Sequence, residues 1–185
     1  ESLAANLVSG DTNAAGDVFV RQRGTLMQTG VISLVPRQID VSSADQVVVD
    51  LEMAFNGDSS LGGGIDIAYD SSLLDFVSFQ FDPALGDDVA FERVTNNTAG
   101  SKISGLSFGH FNGLTGTRRI GTITFNSRSS GTAVLQAGKN LLPLGEFYSS
   151  ISYNNQTISY RGASVRINDA PVATNGSIAT DEDSI

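Results

Sequence analysis

Gly105-Leu106-Ser107-Phe108-Gly109, with His110 directly behind it, has the Gly-x-Ser-x-Gly spacing of a hydrolase nucleophile elbow. Elbow chemistry requires the serine on a strained strand-to-helix turn that exposes its hydroxyl to a base. Here the neighbouring residues alternate like a strand, and Phe111-Asn112-Gly113 opens a turn rather than a helix. On a flat strand His110, the single histidine of the chain, also points away from the face of Ser107 and Phe111. The glycines then mark a bulge or close packing, and the chain reads as non-enzymatic. His110 beside Leu106 and Phe108 reads as a partly buried, satisfied imidazole. With no second His and no Cys, transition-metal and disulfide chemistry lacks ligands.

Carboxylates are more numerous. Asp66 and Asp70 share a strand face, with Asp75, Asp87 and Asp88 nearby in sequence. Paired carboxylates can hydrolyse glycosides, but acids on the outward face of a half-buried strand are ordinarily solvated. Calcium is a better use for oxygen ligands. Asp11, Asn13 and Asp17 form one candidate loop, and Asp82, Asp87 and Asp88 a second. Neither has the twelve-residue EF-hand pattern with its closing Glu, so calcium is a possible ligand and no other cofactor is implied. Sugar-binding surfaces present flat rings, yet the chain has no Trp and four Tyr: Tyr69, Tyr148, Tyr153 and Tyr160. Tyr153 and Tyr160 flank the Asn154-Asn155 turn and could form a small platform, although ring packing at a hairpin end is commoner.

The net charge of −9 over 185 residues argues against nucleic acid, whose phosphates require a basic stripe. Charge is also segregated. Asp40 to Glu92 holds twelve acidic residues and no Lys or Arg, whereas Arg93 to Ile167 holds eight basic residues and one acid, Glu146. Either strands of the two halves pair and neutralise one another, or the surface is dipolar and orients a charged partner. No apolar run approaches the roughly 20 residues that span a bilayer, so no membrane insertion is expected in this segment.

The elements that must position these residues follow a period of two from Gly30 to Ile167. Val47, Val49, Leu51, Met53 and Phe55 alternate with polar or small residues. So do Ile65, Ile67 and Tyr69, then Val77, Phe79 and Phe81, then Ile123 and Phe125, then Ala163, Val165 and Ile167. Asn56-Gly57-Asp58, Asp82-Pro83, Asn112-Gly113, Ser129-Ser130-Gly131 and Asn154-Asn155 punctuate the runs as turns. Nine or ten short strands at this spacing predict an all-β sandwich or barrel. Pro83–Val89 alone could hold a helical turn, capped by Asp82. The expected core comprises Val47, Val49, Leu51, Phe55, Ile65, Ile67, Phe76, Phe79, Ile123, Phe125, Val165 and Ile167.

Gly64-Ile65-Asp66-Ile67-Ala68-Tyr69-Asp70, the turn after it and Leu73-Leu74-Asp75-Phe76-Val77 resemble the cohesin pattern, in which a strand ends in Tyr-Asp and restarts at Leu-x-Phe-Val. Ile120-Gly121-Thr122-Ile123-Thr124-Phe125, followed by Gly131-Thr132-Ala133-Val134-Leu135, is similar to the late strand pair of that family. The resemblance implies an antiparallel jelly-roll β-sandwich of about nine strands over 29–168, extracellular placement, and a non-catalytic role holding proteins or polysaccharides. Asn6-Leu7-Val8 to Asp17-Val18-Phe19-Val20-Arg21 resembles a repeat of secreted propeller-like proteins, giving 1–28 as a fragment or hairpin extension. Asn168-Asp169-Ala170-Pro171-Val172-Ala173 with Asp181-Glu182-Asp183 looks like a linker and the start of a cadherin-like adhesin repeat over 169–185. Both ends therefore read as cuts in a larger bacterial secreted or surface protein.

From the resemblance the expected partner is a dockerin-type module, with a polysaccharide or a spacer role in an adhesin as alternatives. A partner helix would lie on an exposed sheet face using polar and small residues with a few apolar anchors. Strand parity puts Asp66, Asp70, Ser78 and Gln80 outward, and Ser107 and Phe111 outward on the later strand. Asp66, Asp70 and Phe111 are therefore the expected partner-binding residues.

Overall fold

A computed structural model describes residues 29–86, 89–91, 94–140 and 145–169. Its strands are β1 (Thr29–Val35), β2 (Gln38–Ser42), β3 (Gln46–Gly63), β4 (Ile65–Ala68), β5 (Leu74–Phe81), β6 (Val89–Phe91), β7 (Thr95–Asn97), β8 (Lys102–Ser104), β9 (Phe108–Ser127), β10 (Gly131–Lys139), β11 (Thr157–Arg161) and β12 (Ala163–Asn168). They form two sheets. The first runs β11-β1-β3-β9-β5, with β6 added beside β9, and the second runs β2-β12-β10-β4-β8-β7. Pairing is antiparallel except that β1 lies parallel to β11 and β2 parallel to β12. This is the expected all-β sandwich. The one helical turn among the described residues is the 3-10 segment Pro83–Leu85, where Asp82 accepts a hydrogen bond from the Ala84 amide.

The first and last strand pairs cross between the sheets together, at Pro36-Arg37 and at Gly162. Glycine is required at the second crossing because a Cβ there would collide with the Leu135 carbonyl oxygen of β10. Between the sheets the alternating residues meet in one core. Val47, Val49, Leu51, Phe55, Ile123 and Phe125 belong to the first sheet, and Ile65, Ile67, Val165 and Ile167 to the second, all buried. Phe76 and Phe79, expected in the same core, are half-buried and pack against its margin.

Three local readings are corrected by the pairing. Val77 does not face inward with Phe79. A bulge between Phe76 and Ser78 shifts the register, so Phe76 opposes Phe125 and Phe79 opposes Ile123, while Val77 is 49% exposed. Asn56-Gly57-Asp58 is not a turn between strands but a bulge within β3, where the register with β9 breaks between Phe55 and Ser59. Asn112-Gly113 likewise lies inside β9: Leu114 opposes Ser60 and Gly109 opposes Gly62, so on the β3 side His110 to Gly113 bow out opposite Leu61, while His110 still pairs with Val89 of β6.

Candidate functional site

The outer face of the second sheet is built by period-two alternation on β10, β4 and β8. Ala133 and Leu135 turn into the core, so Thr132, Val134 and Gln136 turn out. Gln136 stands opposite Ala68 of β4, and Gly138 opposite Asp66. Most outward residues are small or polar, and Val134, 51% exposed, is the large apolar one among them. It separates two shallow depressions. One is lined by Ala68, Asp70, Ser101, Thr132 and Gln136, and the other by Arg37, Gln38, Gln136, Gly162 and Ser164.

Asp66 takes the outward parity expected of it but is not exposed. It is 6% accessible, because Lys102 on β8 reaches across it with Nζ 2.5 Å from Oδ2, and its Oδ1 has no hydrogen-bond partner. Asp70 is exposed at the end of the same face. Its Oδ1 accepts from the Ser72 hydroxyl at 2.6 Å and the Ser72 amide at 2.9 Å, which hold its carboxyl below the usual range. Phe111 is elsewhere, on β9 of the first sheet. The structure therefore brings Asp66 and Asp70 to one face and leaves Phe111 off it.

The outer face of the first sheet is occupied by its own ion pairs. Arg119 donates to Asp82 at 2.6 Å and lies 3.6 Å from Asp50, which accepts from Thr122 at 2.6 Å. The Arg119 hydrogen bond lowers the Asp82 pKa, and Asp82 in turn raises that of Arg119. Arg128 pairs with Asp75 at 2.7 Å. With Lys102–Asp66, every one of these pairs joins an acid of the acidic half to a base of the basic half. The charge segregation of the sequence thus resolves into cross-strand neutralisation for these residues. Asp82 is committed to Arg119 and the helix cap. Asp87 and Asp88, like Asp11, Asn13 and Asp17, lie outside the described residues. Among the described residues no group of three or more acidic or His side chains could hold a metal ion.

Ser107 is not on a strand. It lies in the connection Gly105–Ser107 before β9, buried, with its hydroxyl unpartnered, and so is neither outward nor hydrogen-bonded to His110. Tyr160 faces the core margin, and burial, with a smaller contribution from Glu146, raises its pKa to about 12. The neutral phenol is favoured in the folded state, so this contribution to stability is complete below the unfolded value near 10 and is lost as pH rises from about 10 to about 12. Ultraviolet titration should show one tyrosine ionising near pH 12, and Tyr160→Phe should remove that step. Tyr160 therefore forms no platform with Tyr153, which is 73% exposed. Tyr153 shares an open groove with Phe111, at 81% exposure, together with Leu61, His110, Asn112 and Ser150.

No protein-family model matches the sequence, and a comparison with curated proteins found no match. Solved structures are similar in fold. The seventh ScaB type I cohesin from Pseudobacteroides cellulosolvens aligns at 16% identity and TM-score 0.57, covering 81% of this chain and 99% of that one. A non-cellulosomal cohesin from Archaeoglobus fulgidus aligns at 15% identity and TM-score 0.57, covering 76% and 91%. A type I cohesin–dockerin complex from Clostridium thermocellum aligns at 12% identity and TM-score 0.58, covering 76% and 100%. This chain has a cohesin-like fold. The propeller-like and cadherin-like resemblances fall on 1–28 and 169–185, of which only Asp169 is described.

Proposed function

We propose that the chain is a non-catalytic binding module of a larger extracellular protein, and that it docks a dockerin-type protein partner on the outer face of its second sheet. The observation that supports this most is the composition of that face. Its outward side chains are mostly small or polar, one exposed valine stands between its two shallow depressions, and the fold is shared with modules solved in complex with dockerins. A helix laid across β10, β4 and β8 would cover Val134 as its apolar anchor, with Gln136, Thr132 and Asp70 supplying polar contacts at the rim. The Lys102–Asp66 pair lies within the contact, with Lys102 rather than the buried Asp66 carboxylate exposed to the partner.

Titration of the module against a panel of dockerin-type domains tests the reading. Val134→Arg places a charge under the partner helix and is expected to weaken binding at least about 30-fold, the size of an interface hot spot. Phe111→Ala, off that face, is expected to bind like the parent. Equal affinity of Val134→Arg and parent would remove the basis for placing the partner there.

A further inference from the structure

Apart from the docking face, the groove between Phe111 and Tyr153 is built in a way that core packing does not require. Four residues of β9, His110 to Gly113, bow out opposite the single residue Leu61, and this projects the Phe111 ring into solvent. Gly113 at the foot of the bow has φ +74°, and a Cβ there would press on Ser150, so the bow seats directly on the loop that carries the opposite wall. In that loop Tyr153 is held at φ +55°, a left-handed conformation uncommon for a non-glycine residue. The loop is pinned from beneath by the buried Asp58 carboxylate, which accepts from Ser149 Oγ at 2.8 Å and from Gln156 Nε2 at 3.0 Å. Ser59 and Ser150 are also hydrogen-bonded through their hydroxyls. The result is two aromatic rings, each without a ring partner among the described residues, facing one groove from a rigid frame.

The chemistry of the lining specifies the occupant. None of Leu61, Gly109, His110, Phe111, Asn112, Ser150 and Tyr153 carries a fixed charge, in a chain whose net charge is −9. Among the described residues of the lining a charged ligand would find no counter-ion. The polar side chains are the Asn112 amide, the Ser150 hydroxyl bonded to Ser59, the exposed Tyr153 phenol, and the His110 imidazole, whose Nδ1 is turned away from solvent. Exposed rings that stack on the apolar face of a pyranose, with neutral donors and acceptors around them, match an uncharged saccharide. We infer that this groove is a second binding site, for a neutral glycan chain, separate from the protein-docking face and independent of it.

Isothermal titration of the whole chain with cellohexaose, xylohexaose and mannohexaose, and with an oligogalacturonate as the charged probe, tests this. At least one neutral hexaose should bind, and the oligogalacturonate should not. Phe111→Ala and Tyr153→Ala should each weaken neutral-glycan binding about tenfold, while Val134→Arg leaves it unchanged. Thermal melts of both variants within a few degrees of the parent show that the loss is local. Absence of binding by all three neutral hexaoses, or equal binding by the parent and both ring variants, would overturn the inference without touching the docking face.

Discussion

Phe125→Ala is expected to lower the unfolding free energy by about 3–5 kcal/mol, against a total of about 5–15 kcal/mol for a domain of this kind. Phe125 is fully buried and stands between Val47 of β3 and Phe76 of β5 in the first sheet. Its ring meets Phe76 at 6.0 Å edge-on and Tyr69, just after β4 of the second sheet, at 5.3 Å. It therefore ties the two sheets together, and truncation removes burial from both sides of the core at once. The loss also leaves a cavity, because strands fixed by their ladders cannot close around it. Urea denaturation should show a lower midpoint with an unchanged slope. Phe111→Ala, at an exposed ring, should stay within about 0.5 kcal/mol of the parent. A loss below about 1 kcal/mol for Phe125→Ala would mean that the sheets do not meet there.

Asp58→Ala carries the second large effect, roughly 2–4 kcal/mol. The carboxylate sits in the β3 bulge and accepts hydrogen bonds from the Ser59 amide at 2.7 Å, Ser149 Oγ and Gln156 Nε2. Alanine leaves buried donors unsatisfied, each costing about 1–3 kcal/mol. The damage should be local as well as global. Ser149 Oγ also accepts from the amides of Ile151 and Ser152, so the whole turn beneath Tyr153 loses its anchor. Hydrogen exchange at those two amides should accelerate in Asp58→Ala and much less in Asp58→Asn, which keeps one acceptor. Unchanged exchange and stability in the alanine variant would show that the carboxylate does not organise the loop.

Much of the fold was legible because β-strands write their buried face into the chain every second residue. Val47-Val49-Leu51 and Ile65-Ile67 could be assigned without any structure, as could the turn capped by Asp82. The bulges were not legible. Asn-Gly-Asp and Asn-Gly supply the positive φ that a turn needs and a bulge needs equally, as at Gly57 (φ +81°) and Gly113. Whether the chain reverses or merely bows is decided by the partner strand. The same limit applies to the candidate site. Parity placed Asp66 on an outer face correctly, but its burial depends on Lys102, which is distant in sequence. Asp58 meets Ser149 and Gln156 across separations of 91 and 98 residues, and Phe111 and Tyr153 come to line one groove through the same long-range closure. Val134 and Gln136 did have a signal, the alternation of Thr132 to Gln136, which marks them as outward once Ala133 and Leu135 are taken as core.

The docking assignment is tested most directly by a nuclear magnetic resonance footprint. The isotopically labelled module would be titrated with a dockerin-type domain that binds it, and amide shifts mapped on the strands. Perturbations are expected along the outer face of β10, β4 and β8, at Thr132, Val134, Gln136, Ala68 and Asp70. Perturbations centred instead on Val48, Arg119 and Thr124 of the first sheet, or on Phe111 and Tyr153, would contradict it.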